Sequence, residues 1–101
     1  MTYRLDVSRR AGRQIRAAST WWLANRDKAP TAFADDLRDA FNLLADLPGA
    51  GERVQHSRLK NARRLLMVRT QHHLYYEVDE GAQTVQILVL WHTSRRKDPS
   101  L

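Results

Sequence analysis

Hydrophobic spacing along this chain passes from a strand period to a helix period and back, and within 101 residues that order leaves few folds open. Thr2 to Val7 places Tyr3, Leu5 and Val7 on one side and Arg4 and Asp6 on the other, the pattern of a half-buried strand. Ser8 follows as a helix N-cap, its short side chain suited to accept from an unpaired backbone N–H. From Arg9 to about Arg26, Ala11, Ile15, Ala18 and Trp22 share one helical face, with Arg9, Arg13 and Arg16 largely turned away from it. Pro30 closes the connection. Phe33, Leu37, Ala40, Phe41, Leu44 and Leu47 then mark a second helix, with Asp35 and Asp36 near its start, where carboxylates suit the dipole, and Pro48-Gly49 at its end.

The second half changes period again. Leu65 to Arg69, Leu74 to Val78 and Val85 to Trp91 are short, β-branched or aromatic runs separated by Thr70-Gln71 and Asp79-Glu80-Gly81, and they read as an antiparallel meander. The last alternates Val85, Ile87, Val89 and Trp91 against Gln86, Leu88, Leu90 and His92. It is apolar on both faces over its centre, which marks a central or covered strand. Thr93 to Pro99 is polar and reads as the end of the fold. The expectation is an α+β fold in one domain over residues 1–101: an N-terminal strand, a helical hairpin, and a three-stranded meander completing a four-stranded sheet. A chain of this size supports one core and no second lobe.

Composition narrows the chemistry. The absence of cysteine removes disulfides, thiolate nucleophiles and cysteine-bound metal clusters. No basic flank precedes a long apolar stretch at the N-terminus, and the longest purely apolar run, Ile87 to Trp91, is far too short to span a bilayer, so a cytoplasmic location without membrane contact is expected. The formal net charge is +6, and 14 of the 17 cations are arginine, the side chain suited to forked contacts with phosphate or carboxylate. An acidic protein segment and a nucleic acid are attracted by the same field, so charge alone does not choose between them.

The charge is concentrated. Between Arg53 and His73 stand six cations, Arg53, Arg58, Lys60, Arg63, Arg64 and Arg69, with no acidic residue. One reading is a solvated edge guarded against aggregation. The other is an anion-recognition surface, to which Arg95, Arg96 and Lys97 add if the C-terminus returns near the sheet. His72 and His73, adjacent on a strand, point to opposite faces and do not grip one metal, so no metal site is expected. His92, next to Arg95 and Arg96, is either a packing residue or a proton-transfer group. Trp21 and Trp22 diverge by about 100° on a helix, so Trp22 fits the core and Trp21 lies at its edge, where an exposed indole suits a protein partner.

The element order, the basicity and the strand pair His73-Leu74-Tyr75-Tyr76-Glu77-Val78 and Ile87-Leu88-Val89-Leu90-Trp91-His92 resemble the RelE/ParE toxin superfamily of type II toxin–antitoxin modules. The likeness runs over nearly the whole chain and rests on no single motif. It implies a small basic toxin that arrests growth, of the kind tied to plasmid stabilisation. It also implies a cognate antitoxin as partner, contact with operator DNA only through that antitoxin, and no cofactor.

The superfamily divides into ribosome-dependent mRNA endonucleases and inhibitors of DNA gyrase, and fold does not decide between them. The endonuclease branch needs groups that activate a ribose hydroxyl, neutralise a phosphate and protonate a leaving oxygen. For that chemistry the candidates are His92, Arg95, Arg96, His73 and Arg64. However, His73 stands where an arginine usually opens the strand, and no tyrosine follows Tyr76. The gyrase branch needs only a binding surface and is not an enzyme. Arg58, Lys60, Arg63, Arg64, Arg95 and Arg96 are its candidate target- or anion-binding residues, and Trp21 and Trp22 its candidate antitoxin contacts. A plain basic nucleic-acid-binding module is the third reading, although Arg53 to His73 holds no Phe, Tyr or Trp for base stacking.

Overall fold

The computed structural model describes residues 2–56 and 58–101. Strand β1 spans Arg4–Val7, helix α1 Arg9–Asn25 and helix α2 Ala32–Asp46; β2 spans Glu52–Arg53, β3 Ala62–Met67, β4 His72–Asp79 and β5 Thr84–His92. They form one sheet in the order β1-β5-β4-β3-β2, with β1 parallel to β5 and the other neighbours antiparallel. The α+β reading and the element order hold. The sheet has five strands, not four, because Glu52 and Arg53 pair with Arg64 and Arg63 in a two-residue edge strand too short to leave a periodic trace.

Ser8 caps α1 as its sequence position suggests, accepting from Ala11 N at 3.0 Å, and its hydroxyl donates to Leu88 O of β5, fixing the helix start against the sheet. The helical hairpin covers one sheet face. Ala11, Phe33, Ala40 and Leu44 are buried there against Met67, Leu74, Tyr76, Val78, Val85, Ile87 and Leu90, with Ile15, Ala18 and Trp22 packed around them. Leu47, expected on the apolar stripe of α2, is 60% exposed, because the helix has ended one residue earlier. The strand expected at Leu65 to Arg69 instead runs Ala62–Met67. Ladder pairing carries it back through Arg63 and Arg64, and the turn that seats Gln71 at φ 57° cuts it short.

The strict alternation expected along β5 is broken. Tyr75 pairs with Val89 but Tyr76 with Ile87, so Leu88 is an extra residue and the strand changes phase there. Val85, Ile87, Leu90 and His92 therefore face the helices, whereas Val89 and Trp91 join Gln86 on the other face. The C-terminal segment, expected merely to end the fold, turns back over that second face. Thr93 N donates to Gln71 O, Trp91 Nε1 donates to Lys97 O at 2.8 Å, Arg10 donates to Ser100 O, and Pro99 is buried. Among the described residues no helix is long and apolar enough to cross a membrane.

Candidate functional site

The end of β5 and the last turns of α1 meet at one end of the strands and leave a cleft of about 440 Å³. Helix α1 supplies Ala18, Trp21 and Trp22 from one face, and Arg26 is the residue that caps its C-terminus. The start of β4 supplies His72, the end of β5 supplies His92, and Arg95 closes the far side. Two of the expected pairs, Trp21 with Trp22 and His92 with Arg95, thus line one site. Arg26 was not singled out by sequence reasoning, although it stands four residues beyond Trp22.

Both guanidinium groups are stacked. The Arg26 guanidinium lies 4.9 Å from the Trp21 ring centroid and 5.6 Å from that of Trp22, and Arg95 lies 4.2 Å from Trp91. Stacking on an indole holds the plane of the cation and leaves its in-plane N–H groups available. Neither arginine has a carboxylate within ion-pair distance among the described residues. Trp21 remains 47% exposed at the mouth, its ring edge-to-face with Trp22.

The two histidines are fixed differently. His72 is buried, its ring edge-to-face with Phe33 at 5.5 Å and with His92 at 5.0 Å. The Thr70 hydroxyl gives its single proton to Asp36 Oδ2 at 2.8 Å, so at 3.2 Å it accepts from His72 Nδ1. This leaves His72 Nε2 with a lone pair. Burial, reinforced by His92, lowers the His72 pKa to about 4, so at neutral pH the ring is uncharged. On His92, Nδ1 receives the Ser94 N–H, which can only donate, so the neutral ring carries its proton on Nε2. Behind this pair stands Asp36, 5% exposed, accepting from Thr70 N, Thr70 Oγ1 and Arg69. Read from sequence as a helix-dipole residue, Asp36 is instead the latch that ties the β3–β4 turn to α2.

The helix-free face of the sheet holds Arg64 and His73. Arg64 is ion-paired with Glu52 and donates to the Tyr75 hydroxyl at 3.2 Å; both contacts raise its pKa, the tyrosine more. His73 lies beside it, its pKa lowered first by burial and then by Arg64. Arg63, opposite Tyr76 on the helix side, donates to Gly51 O at 2.8 Å and to Gly49 O, binding the turn ahead of β2. That turn is closed further by the Tyr76 hydroxyl, which accepts from Gly51 N and donates to Pro48 O. The proposed nuclease set is therefore split: Arg64 and His73 on one face, His92 on the other. The basic residues do not form one field either. Arg58 and Lys60 precede β3 at one end of the strands, and Arg95 and Arg96 follow β5 at the opposite end.

A strand, a helical hairpin and a sheet in this order are the architecture that the sequence resemblance to the RelE/ParE toxin superfamily implies. The model of the ParE toxin of type II toxin–antitoxin systems matches residues 5–97, and the chain belongs to that family. Among solved structures, the chromosomal ParDE system of P. aeruginosa superposes with a TM-score of 0.68 at 18% identity, covering 90% of this chain and 96% of that one. The RelBE2 toxin–antitoxin complex of Mycobacterium tuberculosis gives 0.66 at 22%, covering 91% and 99%. A mutant E. coli RelE toxin in the free state gives 0.65 at 16%, covering 93% and 86%. No curated sequence matches the chain.

Proposed function

We propose that this toxin arrests growth by binding DNA gyrase and does not cut mRNA, and that its cognate antitoxin relieves the arrest. The observation that carries the reading is the division of the candidate catalytic set between two faces of the sheet. In-line cleavage of RNA needs its base, its acid and its phosphate-binding cations within hydrogen-bond reach of one phosphodiester. Here Arg64 is already engaged by Glu52 and Tyr75, while His92 is seated on the helix side. A binding surface needs no such convergence. Arg95 and Arg96, together with Arg58 and Lys60 at the other end of the strands, remain as target-binding candidates.

The test is a paired assay on purified toxin: supercoiling by gyrase with detection of cleavage complexes, beside mRNA cleavage on programmed ribosomes. Inhibited supercoiling with intact mRNA is the expected result. Codon-phased cuts with unaffected gyrase would overturn it and make His92, Arg95 and Arg96 the catalytic candidates. Duplex binding with steep salt dependence and no effect in either assay would establish the plain nucleic-acid-binding alternative.

A further inference from the structure

Helix α1 carries an arginine stripe with no acid beside it. Arg9, Arg13 and Arg16 stand four and three residues apart, so they fall within an arc of about 60° on the helix, and all three are exposed. With Val7, Ser8 and Gly12 they line one shallow concavity of about 380 Å³. Among the described residues none of the three has a carboxylate within ion-pair distance, whereas Arg4, Arg38, Arg64 and Arg69 each have one. The helix holds no Asp or Glu at all, so the stripe repels itself, and an anion bound from outside relieves that repulsion. Gly12 lies among the arginines. Glycine weakens a helix relative to alanine, and packing does not ask for it here: a Cβ at Gly12 would meet Arg16 Nη1 at 3.5 Å and Val7 Cγ1 at 4.0 Å, both ordinary contacts. Its bare backbone forms the floor of the concavity, where a ligand can come close.

We infer that this face of α1 binds the phosphate backbone of duplex DNA directly, with Arg9, Arg13 and Arg16 taking phosphates around the bare backbone of Gly12. Charge complementarity gives the sign of the occupant, and the surroundings give its class. A small anion has no use for a stripe that rises about 10 Å along the helix, whereas a polyanion with a charge about every 3.4 Å on each strand meets all three arginines. Single-stranded nucleic acid is held by stacking as well as charge, and no aromatic residue lines the concavity. A protein partner needs an apolar or aromatic anchor at the centre of its contact with charge at the rim; here the charge is central and Val7 is the one apolar side chain. A duplex backbone is bound by arginines alone, without regard to base sequence. The stripe lies beside β1, at the opposite edge of the sheet from β2 and Arg53, so it is distinct from the Arg53 to His73 surface. The contact goes beyond the gyrase reading and does not rest on it, and it departs from the expectation that this toxin meets DNA only through its antitoxin.

The test is fluorescence anisotropy of a short labelled duplex titrated with purified toxin at several salt concentrations, with neither gyrase nor antitoxin present. Arg13→Gln with Arg16→Gln removes two charges from the stripe, and Lys28→Gln with Arg38→Gln removes two from elsewhere as a control of equal net charge. The wild-type protein is expected to bind. The stripe pair is expected to weaken binding by about tenfold or more and to lower the slope of log K against log salt by about 2, with the control changed by about twofold or less. Equal losses in the two pairs, no loss in either, or no binding by the wild-type protein at low salt would overturn the inference and leave the gyrase assay to be judged on its own result. A labelled single strand bound as tightly as the duplex would overturn it too, and polyglutamate that displaces the probe as well as unlabelled duplex does would give the stripe to an acidic protein instead. Should the stripe pair fail to fold, Gly12→Ala decides, since alanine fits the space and strengthens the helix: weaker binding by a more stable protein supports the inference, and unchanged affinity refutes it.

Discussion

The helix-free face of the sheet and the cleft beneath the end of α1 are built from the same residue types, arginine, histidine and an aromatic, and the protein uses them in opposite ways. On the sheet face Arg64 meets a carboxylate and a phenol, and His73 is held neutral by burial and the nearby guanidinium. At the cleft Arg26 lies over Trp21 and Trp22, and Arg95 lies over Trp91 just outside it, neither with a carboxylate in ion-pair distance among the described residues. A count of cations cannot distinguish the two. What separates them is whether the chain brings an acid alongside, and that is a property of register: Glu52 reaches Arg64 only because the two-residue strand β2 places them opposite each other.

The contrast depends on the latch behind the cleft, and breaking that latch carries the largest expected effect. Asp36 accepts three hydrogen bonds inside the structure, two of them from Thr70. Asp36→Ala leaves the Thr70 N–H without a partner and the proton of its hydroxyl without an acceptor, and is expected to cost about 3 kcal/mol, measured by urea denaturation. Asp36→Asn, which keeps an acceptor, should recover part of the loss. Because Thr70 also orders His72, the alanine variant should loosen the cleft and leave the Glu52–Arg64 face unaltered. Backbone amide exchange separates the two: faster exchange around Thr70 and His72, with β2 and β3 near Arg64 unchanged.

Much of this fold was legible in residue spacing. The helix stripes of Ala11, Ile15, Ala18 and Trp22 and of Phe33, Leu37, Ala40 and Leu44 pack where periodicity puts them, since a 3.6-residue repeat is set by the helix itself. The bulge at Leu88 was not legible. Both β5 faces are apolar, so no change of polarity marks the slip in phase, and His92 reaches the helix side only because of it. The fate of a charge was likewise hidden, because it depends on partners distant in sequence: Asp36 finds Thr70, and Arg64 finds Glu52. The tail reads as polar chain that ends the fold, and nothing in its composition marks the burial of Pro99. The cleft itself was half visible. Trp22 and His92 were marked singly, but their meeting follows from topology.

A smaller effect sharpens the contrast through pH. The folded-state pKa of His72, about 4, lies below its unfolded value of 6.5, so the unfolded chain binds the proton more readily as pH falls. The stability due to the neutral buried ring is fully present above pH 6.5, is lost progressively below it, and levels off near pH 4. By pH 5 the loss from this group amounts to about 2 kcal/mol. Urea midpoints at pH 7.5 and 5.0 measure it, and His72→Gln should flatten the dependence over that interval. A slope unchanged in the variant would assign the acid sensitivity to another group and remove His72 from the account of the cleft.

The smallest effect bears most directly on the division between the two regions. Glu52→Gln removes the carboxylate from Arg64 in a half-exposed pair, and such pairs contribute less than about 1 kcal/mol, so stability should barely change. The consequence to watch is chemical. If Glu52 alone masks a phosphate-binding arginine, freeing it should bring codon-phased cleavage of mRNA on programmed ribosomes. The expected outcome is no cleavage, because Arg64 still donates to Tyr75, His73 is still neutral, and His92 stays on the far side of the sheet. Cleavage gained by this one substitution would show that the closed face is a nuclease held off by a single carboxylate, and both the contrast and the gyrase reading would fall with it.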